Sequence, residues 1–184
     1  MDTIPPQSPP ITPDPVMTEV WKARLRTDPA KLKVGLVWAG NQFPIHNRKR
    51  STSLESLLPL SHIEGVSFYS LQKGAAADPK AATAMRLRDF TAELNDFSDT
   101  AALISALDLV ISIDTGVAHL AGAMEKRVWT LLPAVPDWRY FLETTDSPWY
   151  RTMRLYRQAS PGDWTTPVSE ISRDLRQLVN SSTS

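Results

Sequence analysis

Residues 109–124 have the pattern of a buried strand that runs through a short polar turn into a helix. Segment 109–113 is apolar and mostly β-branched, which is typical of a strand covered on both faces. Residues 114–116 end the strand, and apolar residues then recur with helical spacing, namely Val117, Leu120, Ala121 and Met124. Such a junction directs the unpaired N–H groups of the helix N-terminus, and the positive end of its dipole, at whatever lies above the strand.

Four residues of this junction could converge on one ligand. Asp114 supplies a carboxylate, Thr115 a hydroxyl and Gly116 a close approach to the backbone, while His119 lies one helical turn after Thr115 and supplies an imidazole. These groups suit a diphosphate and its sugar. A structural interpretation stands beside this one: Asp114 or Thr115 would be the N-cap of an ordinary helix, and His119 a half-buried histidine with satisfied hydrogen bonds.

Basic side chains follow the first two predicted strands. Arg48, Lys49 and Arg50 come after the first strand and Lys73 comes after the second. The guanidinium fork of arginine matches phosphate oxygens, and lysine supplies a point charge. For each of these residues the alternative is a solvated surface cation.

Length and composition limit the classes of protein to which the chain could belong. A chain of 184 residues has room for one domain with a real core, and its formal net charge of zero gives no indication of nucleic-acid binding. No apolar stretch approaches the roughly 20 residues of a transmembrane helix, and no secretory signal is visible. Cysteine is absent, which excludes thiolate metal sites and is compatible with the cytoplasm, the location that we expect.

Several well-known sites are excluded by inspection. Gly35 and Gly40 have the spacing of the two glycines of a Walker A loop, but Asn41 and Gln42 replace the Lys-Ser/Thr pair that follows them in that motif. The sequence contains neither the G-x-G-x-x-G fingerprint of dinucleotide binding nor the G-x-S-x-G nucleophile elbow. No D-x-D pair is present, and the three histidines are too scattered to indicate zinc, so we expect a phosphate-binding edge without a metal.

Strands alternate with helices at the spacing of βαβ units, which predicts an α/β fold. The expected architecture is a Rossmann-like, three-layer α/β/α domain with a mainly parallel sheet of about six strands. The six predicted strands cover 33–38, 66–71, 92–94, 109–113, 128–132 and 153–156, and Asp99 is the predicted N-cap of the helix before the central strand. We expect a flexible, proline-rich leader over 1–16, the domain over 17–180 and a disordered tail over 181–184.

Several stretches together resemble the C-terminal domain of glycosyltransferase family 9, the lipopolysaccharide heptosyltransferases with the two-lobed GT-B fold. The stretches are V-G-L-V-W-A-G-N (34–41), Arg50-Ser51, S-L-Q-K-G (70–74), D-F-S-D-T-A (96–101), L-D-L-V-I-S-I-D-T-G-V-A-H-L-A-G-A (107–123), P-D-W-R (136–139), D-S-P-W-Y (146–150) and G-D-W (162–164). The nearest resemblance is to bacterial proteins that join tetratricopeptide repeats to such a domain. It covers residues 30–165, and no tetratricopeptide period is visible in this chain.

The resemblance implies a lobe that binds a nucleotide-diphospho-sugar donor as substrate, without a cofactor or metal. The D-T-G-x-x-H motif of the family contacts the donor, and it falls here on Asp114, Thr115, Gly116 and His119, of which His119 and Asp114 are the candidate catalytic residues. The loop after the first strand would supply phosphate ligands, and the loop after the second strand would face the nucleoside. The candidates in these two loops are Asn41, Arg48 and Arg50, and Gln72 and Lys73.

The resemblance also implies a missing partner. A GT-B enzyme takes its acceptor, and usually its catalytic base, on an N-terminal lobe, so we expect such a lobe or a partner protein to complete the site. A different hypothesis is a non-catalytic interaction module derived from a transferase lobe. A nucleotide-sugar epimerase of similar architecture has less support from the motifs and also needs two lobes.

Overall fold

The computed structural model describes residues 10–40, 50–74 and 77–181. Their six strands form one parallel sheet in the order β3-β2-β1-β4-β5-β6. The strands are β1 (Leu32–Val37), β2 (Val66–Ser70), β3 (Arg88–Asp89), β4 (Leu109–Ile113), β5 (Val128–Leu132) and β6 (Met153–Arg157). The helices are α1 (Pro15–Leu25), α2 (Pro79–Met85), α3 (Phe97–Ser105), α4 (Gly116–Ala123) and α5 (Thr165–Ser181), and 3-10 helices cover Glu55–His62, Thr91–Glu93 and Trp138–Tyr140.

The sheet separates two apolar layers, which confirms the predicted α/β/α architecture. One layer packs α2, α5 and the 3-10 helix Glu55–His62 against the sheet, through fully buried residues such as Leu57 and Ile171. The other layer packs α1, α3 and α4, through residues such as Trp21 and Leu103. Strands β4 and β5 are buried along their whole length, as the β-branched run of β4 predicts for that strand.

Two sequence predictions about local structure are wrong. The third strand is not 92–94: Thr91–Glu93 forms a 3-10 helix, and the strand that pairs with β2 is the exposed pair Arg88–Asp89. Asp99 is not the N-cap of α3, because Asp96 Oδ1 accepts hydrogen bonds from Ser98 N at 2.8 Å and Asp99 N at 3.0 Å. Asp99 lies instead in the first turn of α3.

Residues 10–16, which belong to the predicted leader, are described by the structure, and the first helix begins among them. Asp14 caps α1 by accepting from Met17 N at 2.8 Å, and Pro15 occupies the first turn, where its missing N–H is harmless. Further upstream, Ile11 N donates to Ala123 O at 2.9 Å. The predicted leader over 1–9 and most of the predicted tail, over 182–184, lie outside the described residues.

Candidate functional site

The order of the strands creates a crevice at the carboxyl edge of the sheet. The chain runs from β1 outward through β2 to β3, and then returns to place β4 on the other side of β1. Loops that leave β1 and β4 therefore diverge to opposite faces, and a doubly wound sheet binds its ligands at such a switch point. The polar turn 114–116 lies there, between β4 and α4.

A cavity of about 480 Å³ opens at this switch point. It lies between the ends of β1 and β2 and the first turns of α3 and α4, and its walls are mainly apolar: Val37, Leu71, Leu94, Phe97 and Val117. Phe97 is 62% exposed, and its ring lies against Gly116, where an added Cβ would come within 3.1 Å of Phe97 Cζ. An apolar slot with an exposed aromatic ring at its mouth can hold a flat heterocycle.

Gln72 lies at the cavity, but its amide is engaged within the protein. Its Oε1 accepts from Trp38 N at 3.0 Å and Ala39 N at 2.8 Å, and its Nε2 donates to Ala39 O and Lys73 O, both at 2.9 Å. Gln72 thus fixes the loop after β1 to the loop after β2. This role explains why a glutamine is buried there.

Lys73 also lines the cavity, and its ammonium group joins two segments. Nζ donates to Thr91 O at 2.8 Å and to Leu94 O at 2.7 Å. These bonds tie the β2 loop to the 3-10 helix Thr91–Glu93 and leave one of three ammonium donors for a ligand.

The N-terminus of α4 faces the cavity without a side-chain cap. Thr115 occupies the N-cap position with extended backbone, but its hydroxyl lies 3.0 Å from Ser112 Oγ and makes no capping hydrogen bond. Thr115, Gly116 and Val117 all line the cavity. The first N–H groups of α4 are therefore presented to the crevice, in the arrangement that binds anions.

Asp114 is the buried centre of a polar cluster on the other side of the same turn. Its side chain is 7% exposed. Oδ1 accepts a hydrogen bond from the Tyr140 hydroxyl at 2.8 Å and lies 3.3 Å from His119 Nε2, and Oδ2 lies 3.4 Å from an Arg50 guanidinium nitrogen. The structure thus brings together Asp114, His119 and Arg50 of the predicted site.

The charge of Asp114 is maintained by these neighbours. Burial by itself raises the pKa of this carboxyl, but the hydrogen bonds from His119 and Tyr140 and the charges of His119 and Arg50 lower it below its ordinary value. Burial and the adjacent carboxylate raise the pKa of the Tyr140 hydroxyl, so this hydroxyl stays protonated and donates. Asp114 is accordingly an acceptor for every group around it.

His119 is held between a carboxylate and a phenol. Because ionised Asp114 can only accept, the proton of a neutral imidazole lies on Nε2, and Nδ1 is left to accept from the Tyr150 hydroxyl at 3.3 Å. The ring is half-buried, with 30% of its side chain exposed. A second proton, on Nδ1, would turn this nitrogen from an acceptor into a donor toward an anion in the crevice.

Two of the predicted phosphate ligands, Asn41 and Arg48, lie outside the described residues, as does Lys49. Three functional candidates were missed by sequence reasoning: Tyr140, Tyr150 and Phe97. Their only signal was position, since each falls within or next to a stretch that carries the family resemblance.

Within the ranges that the structure describes, no group of three or more histidine, aspartate and glutamate side chains is arranged to hold a metal ion. None of the described helices is long and apolar enough to cross a membrane.

Gly122 offers a test of how tightly Tyr150 is packed. A Cβ on Gly122 would lie 2.6 Å from Tyr150 Cγ and 2.9 Å from both Cδ atoms. We expect Gly122→Ala to lower the free energy of unfolding by about 1 kcal/mol, because overpacking against the ring outweighs the gain in helix propensity. In a Tyr150→Ala background the same change is expected to stabilise α4. Urea unfolding of the four proteins measures both effects, and an equal effect in the two backgrounds would contradict the packing.

The chain is similar to known proteins both in sequence and in fold. Residues 75–136 match glycosyltransferase family 9 (heptosyltransferase). Protein FlbA of Caulobacter vibrioides is 28% identical in an alignment 180 residues long that covers 93% of this chain and 29% of FlbA.

Solved heptosyltransferases share the fold. Escherichia coli ADP-heptose lipopolysaccharide heptosyltransferase II superposes with a TM-score of 0.65 at 16% identity, over 98% of this chain and 57% of that chain. E. coli heptosyltransferase WaaC with ADP superposes with a TM-score of 0.51 at 16% identity, over 95% of this chain and 52% of that chain. This chain therefore spans about half the length of the heptosyltransferases and under a third of FlbA. The resemblance found in the sequence is thus confirmed, and the chain carries a heptosyltransferase-like domain related to glycosyltransferase family 9, with the α/β fold of the heptosyltransferase structures.

Proposed function

We propose that this domain binds the nucleotide-diphospho-sugar donor of a glycosyltransferase and that it does so without a metal ion. The observation that carries the proposal is the cavity of about 480 Å³ at the switch point, which ends on the uncapped N-terminus of α4. A nucleotide needs an apolar slot next to an anion site, and the two adjoin at Thr115 and Gly116.

The donor would occupy three regions of the site. The base enters the apolar slot against Phe97, and the diphosphate lies on the N–H groups of α4. The sugar extends from the diphosphate toward Asp114 and His119, which flank the same turn. Arg50 adds positive charge on the side of Asp114.

The proposed reaction is a direct displacement at the anomeric carbon. An acceptor hydroxyl forms a bond to that carbon while the bond to the diphosphate oxygen breaks, and the electron pair leaves with the diphosphate. The growing negative charge is stabilised by the α4 N–H groups and the guanidinium of Arg50. In its doubly protonated form His119 donates from Nδ1 to the leaving group, which orients the diphosphate and neutralises part of its charge, while Nε2 donates to Asp114, which balances the charge of the ring.

The acceptor and the base that deprotonates it belong, in this proposal, to a second lobe or a partner protein. Support comes from the length of the relatives, since this chain covers 57% of heptosyltransferase II. Isolated, the chain should bind the donor and fail to transfer the sugar. Transfer by the purified chain alone would show that this part of the proposal is wrong.

Calorimetric titration with ADP, UDP and GDP in the presence of a metal chelator tests donor binding. ADP is tested first because a heptosyltransferase is known with ADP bound. We expect saturable binding of one nucleotide, weakened about tenfold or more by His119→Ala, since a hydrogen bond to a charged group is lost. His62→Ala, on the 3-10 helix Glu55–His62 in the layer on the other face of the sheet from α4, is the matched control. Binding that requires Mg²⁺, or equal effects of the two substitutions, would contradict the proposal.

One observation favours the alternative, a non-catalytic interaction module. Helix α1 exposes Val16, Met17 and Val20 at 71%, 38% and 46%, and an exposed apolar face of this kind is common at protein interfaces. If none of the three nucleotides binds, the interaction module becomes the better explanation. A pull-down with wild-type protein and with Val16→Ser/Val20→Ser then tests whether this face recruits a partner.

A further inference from the structure

The loop between β5 and β6 is held by one arginine. Arg157 ends β6, and its guanidinium donates to four backbone carbonyls of the loop. Nε donates to Leu142 O at 3.2 Å, and Nη2 lies 3.2 Å from Tyr140 O, 3.0 Å from Phe141 O and 3.5 Å from Thr144 O. A guanidinium suits this task because its donors radiate in a plane from one rigid group.

Burying the charged guanidinium of Arg157 beneath this loop costs free energy of solvation. Burial lowers the pKa of its guanidinium. Nη1 is buried and has no hydrogen-bond partner within the part of the chain that the structure describes. Arg154, three residues earlier on the same strand, shows the ordinary alternative: its guanidinium pairs with Asp174 at 2.9 Å. A cation satisfied mainly by carbonyls indicates that the loop conformation requires it.

The segment that Arg157 holds is also strained. Phe141 has φ 50° and ψ −176°, a conformation that residues other than glycine rarely adopt. This strained residue directly follows Tyr140, which is fully buried. The three carbonyls of residues 140–142 converge on Arg157 at this sharp turn of the backbone.

The same turn delivers the Tyr140 hydroxyl to the candidate site. Tyr140 presents its carbonyl oxygen to Arg157 at 3.2 Å and its hydroxyl to Asp114 Oδ1 at 2.8 Å. Trp149 Nε1 anchors the adjacent residue by donating to Arg139 O at 2.8 Å. Because the backbone of Tyr140 is held through its carbonyl oxygen, the hydroxyl at the other end of the residue is held in position to donate to Asp114.

We propose that Arg157 is a positioning residue of the candidate site: by binding the carbonyls of residues 140–144, it holds the Tyr140 hydroxyl on Asp114 and so keeps Asp114 in place for His119. The inference concerns the site of the proposed function and adds a residue that contacts neither Asp114 nor His119. It predicts that the ionisation of Asp114 depends on a side chain at the end of β6.

The test follows the Asp114 carboxyl by ¹³C NMR through a pH titration, without nucleotide, in wild type, Tyr140→Phe, Arg157→Gln and Arg154→Gln. Tyr140→Phe and Arg157→Gln are each expected to move the Asp114 midpoint to higher pH, because the same hydrogen bond is lost. Arg154→Gln, which removes a guanidinium from the same strand, is expected to leave that midpoint unchanged. The double variant Arg157→Gln/Tyr140→Phe should shift it no further than Tyr140→Phe alone.

Two results would overturn the proposal: an Asp114 titration unaffected by Arg157→Gln, or shifts that add in the double variant. If Arg157→Gln does not fold, Arg157→Lys is compared with Arg154→Lys. Lysine keeps the positive charge but lacks the planar set of donors of a guanidinium. A shift of the Asp114 midpoint to higher pH in Arg157→Lys but not in Arg154→Lys supports the positioning role, and equal midpoints in the two variants overturn it. Since no nucleotide is present, a failure here is distinct from a failure of donor binding in the calorimetric titration.

Discussion

Replacing Asp114 with alanine is expected to abolish nucleotide binding and to lower the free energy of unfolding by about 3 kcal/mol. The substitution leaves the fully buried Tyr140 hydroxyl without its acceptor and removes the carboxylate that faces His119 and Arg50. The imidazole then has no anion to hold its Nε2 proton. Urea unfolding measures the loss of stability, and calorimetry at a temperature where the variant is folded measures binding.

The chain contains a matched control for this experiment. Asp28 is a second buried aspartate that accepts a tyrosine hydroxyl, at 2.5 Å from Tyr69, and it lies 3.4 Å from a guanidinium nitrogen of Arg88. It precedes β1 and so lies at the opposite edge of the sheet from the candidate site. Asp28→Ala is expected to lose comparable stability and to keep nucleotide binding. If both variants lose binding to the same extent, the effect of Asp114→Ala reflects stability alone.

The fold could be predicted because its signals are local. Strands β4 and β5 are short, mostly apolar runs, and their bounds in the structure coincide with the predicted 109–113 and 128–132. The error at β3 has a physical origin. This edge strand consists of two exposed, charged residues, Arg88 and Asp89, and it therefore lacks the hydrophobic pattern by which a strand is recognised.

The polar turn of the site was predictable for a similar reason. Thr115 and Gly116 lie where a strand, a turn and a helix follow one another, and this local pattern places them at the switch point. Tyr140 and Arg157 were not predictable. Tyr140 meets Asp114 from 26 residues away, and Arg157 acts on carbonyl groups that are the same for every residue type. Contacts of this kind depend on the path of a loop, for which the sequence has no periodicity.

Gln72 shows a further limit of sequence reasoning. Its position after β2 correctly indicated the cavity, but residue type could not show that both ends of the amide are occupied by backbone groups of the β1 and β2 loops. Gln72 and Lys73 remain candidate ligands by position. In the structure their measurable role is to shape the cavity rather than to offer a full set of free donors.

The two buried aspartates should also make the stability of the domain depend on acid. The hydrogen bonds of Asp28 with Tyr69, Ala30 and Ser67, and the charge of Arg88, lower the pKa of this carboxyl despite its burial. The pKa of Asp114 is lowered as well. Because each carboxyl has a lower pKa in the folded state than the unfolded value of about 4, its stabilising contribution is complete above that value. It is lost as the pH falls from there through the folded pKa.

Between the unfolded pKa of about 4 and the lower folded pKa, the unfolded chain binds more protons than the folded one. The free energy of unfolding should therefore decrease as the pH is lowered, by at most about 1.4 kcal/mol per pH unit for each carboxyl. Urea unfolding between pH 7 and pH 2 measures this slope. Asp28→Asn and Asp114→Asn should each reduce it, whereas Asp163→Asn should reduce it less, since this partly exposed carboxyl, which accepts from Thr165 N at 3.0 Å at the start of α5, interacts largely through water. A slope unchanged in both buried variants would mean that neither carboxylate is held more strongly in the folded protein than in the unfolded chain. The preferential stabilisation of the Asp114 carboxylate by His119, Tyr140 and Arg50 would then be contradicted.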